Sequence, residues 1–231
     1  VGKGSFPDTY LKSDTLNNIF YKEEYYSELT FHYWYWKNLL KISDNSWVGF
    51  CQKRRFWIKS SSSKDIISKE NIKEHLLVEP ENDWNKYQSI ICKPISVAGA
   101  KRLKILKRGW RSVIKKPSIL FNEEKQNIKL HFDMHHGYGN LERAIDLLDV
   151  EDKSDFNNYV INNSIFNPHI MFIAKKDILN KWFSKLFPWL EKCENQFGFD
   201  NLKGYDTKRL YAFLAERYLS FWFKKYTVYK E

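Results

Sequence analysis

Cysteine is scarce in this chain. Cys51, Cys92 and Cys193 are odd in number and widely spaced, which fits neither a disulfide framework nor a Cys-x-x-Cys metal knuckle and points to a reducing, cytoplasmic setting. Long apolar runs are missing: no stretch of about 18 consecutive apolar residues occurs, and the mean hydropathy is -0.59, so nothing reads as a membrane span. No Gly-rich phosphate loop, helix-turn-helix pattern or RNA-binding aromatic motif is present. Asp-x-Asp is absent too; Asp149-Val150-Glu151 comes nearest. The only methionines are Met134 and Met171. Because the chain opens at Val1, and residues 1–8 have neither the charged start nor the apolar run of a signal peptide, a chain trimmed at its start is expected.

What the chain does have is bulk. At 231 residues, 43% apolar and 17% aromatic, it can bury a real core, which excludes intrinsic disorder and suits one large domain or two small ones, of which one domain over residues 1–231 is expected. Its charge is local. Of 38 basic residues, eight lie between Lys101 and Lys116 with no acidic residue among them, leaving 30 against 28 acidic in the remainder. The basicity is one patch.

Periodicity predicts the elements. Leu29, Tyr33, Trp36 and Leu40 repeat at three-to-four spacing and predict a helix over 25–40. Residues 47–51, between Asp44-Asn45-Ser46 and Gln52-Lys53-Arg54-Arg55, predict a strand buried on both faces. The serines at 60–63 suggest a mobile loop, and 89–95 a second buried strand that Pro94 ends or places at an edge. Residues 101–116 read as a helix with Leu103, Leu106, Trp110, Val113 and Ile114 on one face, weakened at Gly109 by roughly 1 kcal/mol relative to Ala. Strict alternation at 128–135 predicts a strand, with Ile128, Leu130, Phe132 and Met134 on one side and Lys129, His131, Asp133 and His135 on the other.

Helices are expected at 140–148 and 153–162, and a third buried strand at 170–174. A helix over 175–195 should kink or break near Leu186-Phe187 because Pro188 removes a backbone donor. In a last helix over 206–225, Leu210, Leu214, Tyr218, Phe221 and Trp222 form the apolar stripe, while Arg209 and Glu216, roughly two turns apart, share another face. Strands alternating with helices argue for an α/β architecture: a mixed central sheet flanked by helices, with a helical C-terminal part.

Several groups could carry chemistry. Arg54 and Arg55 leave a strand end, where open α/β sheets bind ligands, and offer forked donors for a diphosphate; a solvated basic turn is the plain alternative. His131, Asp133 and His135, with His136 at the end, could bind a divalent metal for hydrolysis, or Asp133 could act as a base oriented by a histidine; a wet edge strand is the plain alternative. The helix of Lys101 to Lys116 suits an anionic membrane surface better than nucleic acid, because it has an apolar side as well as cations; a surface helix with lysine stems over a groove is the plain alternative. Trp34, Trp36, Trp57, Trp182 and Trp189 read mainly as core.

Five blocks in order resemble a known family: Glu28-Leu29-Thr30 with Tyr33-Trp34-Tyr35-Trp36-Lys37-Asn38, then 47–56 (WVGFCQKRRF), 167–173 (NPHIMFI), 186–190 (LFPWL) and 209–217 (RLYAFLAER). They resemble polysaccharide-biosynthesis proteins of bacteria, phages and viruses that carry domain of unknown function 4422 and are regarded as glycosyltransferases with a GT-A-like fold. Two departures stand out. The family usually has a histidine before its arginine pair, where this chain has Gln52 and Lys53, and members usually begin with a strand ahead of Val1-Gly2. The resemblance implies transfer of a sugar, galactofuranose among those associated with the family, from a nucleotide-diphosphate donor to a glycan or lipid-linked acceptor. Cysteine usage and the basic helix with its apolar side add the expectation of a cytoplasmic protein peripheral to the membrane. A divalent metal, Mn or Mg, is left open, because arginine stands where such folds place Asp-x-Asp. On this reading Arg54 and Arg55 bind the diphosphate, Asp133 and then Glu216 are candidates for the general base, and His136 and Arg209 orient donor or acceptor. The competing reading is a noncatalytic basic module for a membrane surface or nucleic acid.

Overall fold

The computed structural model describes residues 5–7, 9–42, 46–63 and 65–231. Its helices are α1 (Glu23–Tyr26), α2 (Leu29–Asn38), α3 (Ile72–His75), α4 (Arg102–Lys115), α5 (Ile128–His136), α6 (Asn140–Asp146), α7 (Val150–Asn162), α8 (Lys176–Phe197), α9 (Tyr205–Lys208) and α10 (Leu210–Tyr226). Its strands are β1 (Trp47–Phe50), β2 (Ser89–Ile91), β3 (Ile95–Ser96), β4 (Ile165–Phe166), β5 (Phe172–Lys175) and β6 (Tyr229–Lys230). The central sheet is mixed, in the order β1-β5-β2-β6; β3 and β4 form a separate pair. The α/β class with a helical C-terminal part is therefore the observed one.

Most of the core lies where α8 and α10 cover the sheet. The Trp182 ring packs 5.6 Å from Tyr218 and 5.5 Å from Phe223, and Phe172 of β5 sits 5.1 Å from Phe223. α8 runs unbroken through Pro188. A mid-helix proline costs about 3 kcal/mol, but Trp182, Phe183, Leu186, Phe187, Trp189 and Leu190 are all buried around it, and each fully buried large side chain returns about 1.5–3 kcal/mol. Packing outweighs the lost hydrogen bond, so the helix is not broken at the proline. His32 of α2 is buried between Phe50 and Phe172, and desolvation lowers its pKa to about 3.

Two expectations about strands are corrected. Residues 128–136 are a helix, capped by the Asn127 side chain on the Leu130 N–H (2.9 Å) and ended at Gly137 with φ +99°. Its alternation arises from two i,i+4 pairs facing two cores: Leu130 and Met134 pack with Ile105 of α4, while Ile128 and Phe132 join the main core. β1 is an edge strand and not buried on both faces; Gly49 is exposed, and the Asp44-Asn45 flank lies outside the described residues. The serines form a 3-10 turn whose Ser60 N–H and Oγ donate to Glu81 at 2.6 and 2.5 Å. α4 buries Ile105, Gly109 and Ser112, leaving Leu103, Leu106, Trp110 and Ile114 exposed.

Candidate functional site

β1 and β2 run antiparallel to β5, and β6 runs parallel to β2. The carboxyl ends of β1, β2 and β6 therefore share one edge with the amino end of β5, which is where α/β sheets present ligands. Leaving β1, the chain makes a tight turn: Gln52 and Arg55 exchange backbone hydrogen bonds of 3.2 Å, and Arg55 Nη1 donates to Gln52 Oε1 at 3.0 Å. Lys53 and Arg54 are the exposed tip.

The approach to β5 is tied down by Asn167. Its N–H donates to Ser220 Oγ at 3.0 Å, its Oδ1 accepts from that hydroxyl at 2.7 Å, and its Nδ2 donates to the Cys92 carbonyl at 2.6 Å and to Glu231 Oε1 at 2.9 Å. Two residues on, His169 adopts φ +68°, a left-handed conformation that costs an L-residue about 1–2 kcal/mol. Glu216 holds it there. Its Oε1 accepts the His169 N–H at 2.5 Å, and its Oε2 accepts from Arg217 Nη1. Arg217 is 1% exposed, lies 3.9 Å over the Phe166 ring and reaches His131 Nδ1 with Nη2 at 3.3 Å.

The electrostatics join these groups. Burial lowers the His169 pKa, and the Arg55 charge lowers it further against the opposing pull of Glu216 and Glu28. Burial pushes the Cys92 thiol up to about 11, with Glu216 adding to the rise and Arg55 opposing it. Arg55, Cys92, His169 and Glu216 thus form one electrostatic neighbourhood at the sheet edge.

On the other side of Arg217 stand the histidines of α5. The His131 and His135 rings are 4.7 Å apart. A guanidinium only donates, so His131 Nδ1 accepts from Arg217 and His135 Nδ1 accepts from Arg108 Nη1 at 2.8 Å, which leaves the proton on Nε2 of each. His136 Nδ1 donates to the Asp206 carbonyl at 2.8 Å, and its ring stacks on Phe213 with centroids 3.8 Å apart. Burial first, and then the Arg217 charge, lowers His131 to about 2 and His136 to about 3.

The sequence-predicted site residues separate accordingly. Arg55 and Glu216 both act electrostatically on His169 and Cys92 at the sheet edge, with Arg54 on the same turn. Asp133 does not share a face with His131 and His135 as the strand reading required; it is buried, Oδ2 accepting from Lys129 Nζ at 2.7 Å and Oδ1 from the Gly139 N–H at 3.0 Å. His136 is held by α9 and α10. Arg209 is the residue before α10, with ψ +29°, and its guanidinium lies 5.1 Å over the Tyr205 ring, while Glu216 pairs with Arg217. Asp149 and Glu151 pair with Lys185 on the surface.

Among the described residues no three His, Cys, Asp or Glu side chains group to hold a metal ion. At the sheet edge Glu216 is committed to Arg217 and the His169 N–H, and Glu231 to Lys224 and Asn167. His169, Asn167 and Arg217 were not singled out from sequence, although the Asn-Pro-His and RLYAFLAER blocks contain them and a residue after proline entering a strand is a turn signal.

Among solved structures, the apo form of WbbM, a bifunctional glycosyltransferase, shares this fold with a TM-score of 0.65 and 21% identity over 92% of this chain and 36% of that one. The chain thus spans about a third of the length of that protein. No curated protein matches it. The family described as Domain of unknown function (DUF4422) matches residues 1–227, and the chain belongs to that family.

Proposed function

We propose that this chain is a glycosyltransferase domain of the hexosyltransferase type, moving a sugar from a nucleotide-diphosphate donor to a glycan or lipid-linked acceptor in polysaccharide biosynthesis in the cytoplasm. Galactofuranose is the first sugar to try. The observation that carries the reading is the meeting of Arg55, His169 and Glu216 at the edge where β1, β2 and β6 end, on a fold shared with a glycosyltransferase.

Arg55, with Arg54 on the same turn, pairs with the diphosphate oxygens and neutralises the charge that grows as the bond from anomeric carbon to phosphate oxygen breaks. That electron pair leaves with the nucleoside diphosphate while the acceptor hydroxyl oxygen bonds the anomeric carbon. The hydroxyl proton passes to the His169 imidazole, which is neutral at pH 7 because burial and Arg55 both lower its pKa. Glu216 is a positioning residue: it holds the strained His169 backbone while Arg217 holds it. Asp133, whose oxygens both accept hydrogen bonds within α5 and its following turn, yields the role of base to His169.

Thermal-shift titration with UDP, GDP, CMP and their sugar conjugates, each with manganese and with EDTA, tests the reading. Ligand at 100 times Kd stabilises by about 2.7 kcal/mol. The expected result is a shift with one nucleotide class that persists in EDTA and is lost in Arg54→Ala/Arg55→Ala. No shift with any nucleotide favours the basic binding module, and an undiminished shift in the double variant removes the arginines from the donor site.

A further inference from the structure

α4 has three faces. Ile105, Gly109 and Ser112 are buried toward α5, where a Cβ at position 109 would meet Met134 Cγ at 3.0 Å. Gly109 has non-helical angles, φ -113° and ψ +19°, so glycine both permits the close approach and bends the helix. On a second side Leu103, Leu106, Trp110 and Ile114, which an ideal 3.6-residue wheel groups within about 80°, are 80%, 45%, 52% and 71% exposed. Phe121, just beyond the helix, is 73% exposed under the Arg102 guanidinium. A third arc between these two carries Lys104, Lys107, Arg108, Arg111 and Lys115.

Isolated exposed apolar residues need no explanation, but four on one arc of one helix do. The stretch from Lys101 to Lys116 has no acidic side chain, so its complement is an anionic surface. A nucleic acid would engage the cations and leave Leu103, Trp110 and Ile114 in water. An anionic bilayer satisfies both arcs, since acyl chains take the apolar side chains while lysine and arginine stems reach up to headgroup phosphates.

We propose that α4 is an interfacial anchor, lying in the surface of an anionic membrane with Leu103, Leu106, Trp110 and Ile114 inserted and its basic arc on the headgroups. Arg111, 5.3 Å from the Trp110 ring and 5.6 Å from that of Tyr138, braces the junction between the two arcs. No helix among the described residues is long and apolar enough to cross a bilayer, so the contact is superficial. It rests on α4 alone, and vesicle binding and nucleotide binding fail independently.

The test is co-sedimentation of the whole chain with phosphatidylcholine vesicles, with vesicles containing phosphatidylglycerol, and with single-stranded RNA as competitor. Binding is expected only with the anionic lipid, weakening as salt rises, because polybasic attraction is screened. Leu103→Gln/Ile114→Gln, at the two most exposed positions of the arc, should weaken it by roughly tenfold with an unchanged melting temperature. Equal affinity for neutral vesicles, no binding to anionic ones, or anionic binding that the double variant leaves intact and RNA abolishes would each overturn the proposal.

Discussion

Two groups of polar side chains flank Arg217, and its charge acts differently on each. Toward α5, desolvated rings surround it, and it adds to the burial that holds His131 and His136 neutral. Toward the sheet edge, it clamps Glu216, which fixes the backbone of a half-exposed His169 within reach of the Arg55 charge. In the first group each ring has a protein partner and His136 is buried; in the second the Arg55 side chain is exposed and His169 is partly buried. A buried cation can therefore serve structure on one side and chemistry on the other, and substitutions should separate the two.

The largest effect is expected from Arg217 itself. Arg217→Met keeps length and removes charge, leaving Glu216 paired only with the His169 N–H. Breaking a buried pair by removing one partner costs about 3–5 kcal/mol. Urea unfolding at pH 7 should show a loss of that order. A loss below about 1 kcal/mol, the range of an exposed pair, would mean that Glu216 has another partner and that the two groups are not joined through Arg217.

Acid should act next, and mainly on the α5 side. The folded pKa values of about 2 for His131 and about 3 for His136 lie below the ordinary 6.5, so below pH 6.5 the unfolded chain binds more protons than the folded one. Stability is then full above pH 6.5 and falls as pH drops toward 3, by up to about 1.4 kcal/mol per pH unit for each histidine. His32, with a folded value of about 3, adds in the same direction. Urea midpoints at pH 7 and pH 5 measure the slope, and imidazole NMR assigns it. Signals of His131 and His136 titrating near 6.5 would show that the α5 group is open after all.

How far these groups were legible in the sequence follows from what each element packs against. Residues 47–56 and 167–173 carried the sheet edge visibly, because short apolar runs end in charged or turn-forming residues there. α5 was not legible as a helix: with α4 on one side and the main core on the other, its Leu130/Met134 and Ile128/Phe132 pairs imitate a strand's alternation. The signals that could have corrected it were Asn127 as a cap and Gly137 as a stop. α4 was legible as a helix with an apolar side, whereas its buried face, Ile105 with a glycine and a serine, was not singled out. His169 was invisible because its importance lies in a left-handed backbone held by a residue 47 positions away.

The smallest expected effect is the sharpest test of the sheet-edge group. Burial is the first cause of the lowered His169 pKa, and Arg55 is the second. Arg55→Ala removes only the second, so the folded pKa should rise part of the way back toward 6.5, readable as a shift in the imidazole NMR titration of the ligand-free protein. Because Arg55 is on an exposed turn, stability should change by less than about 0.5 kcal/mol, and His131 and His136 should not respond. A shift in His169 alone makes the arginine and the imidazole one electrostatic unit before any donor binds. If His169 does not move, Arg55 is too far or too well screened to share a site with it, and the acceptor proton must go elsewhere even where the arginines hold the diphosphate.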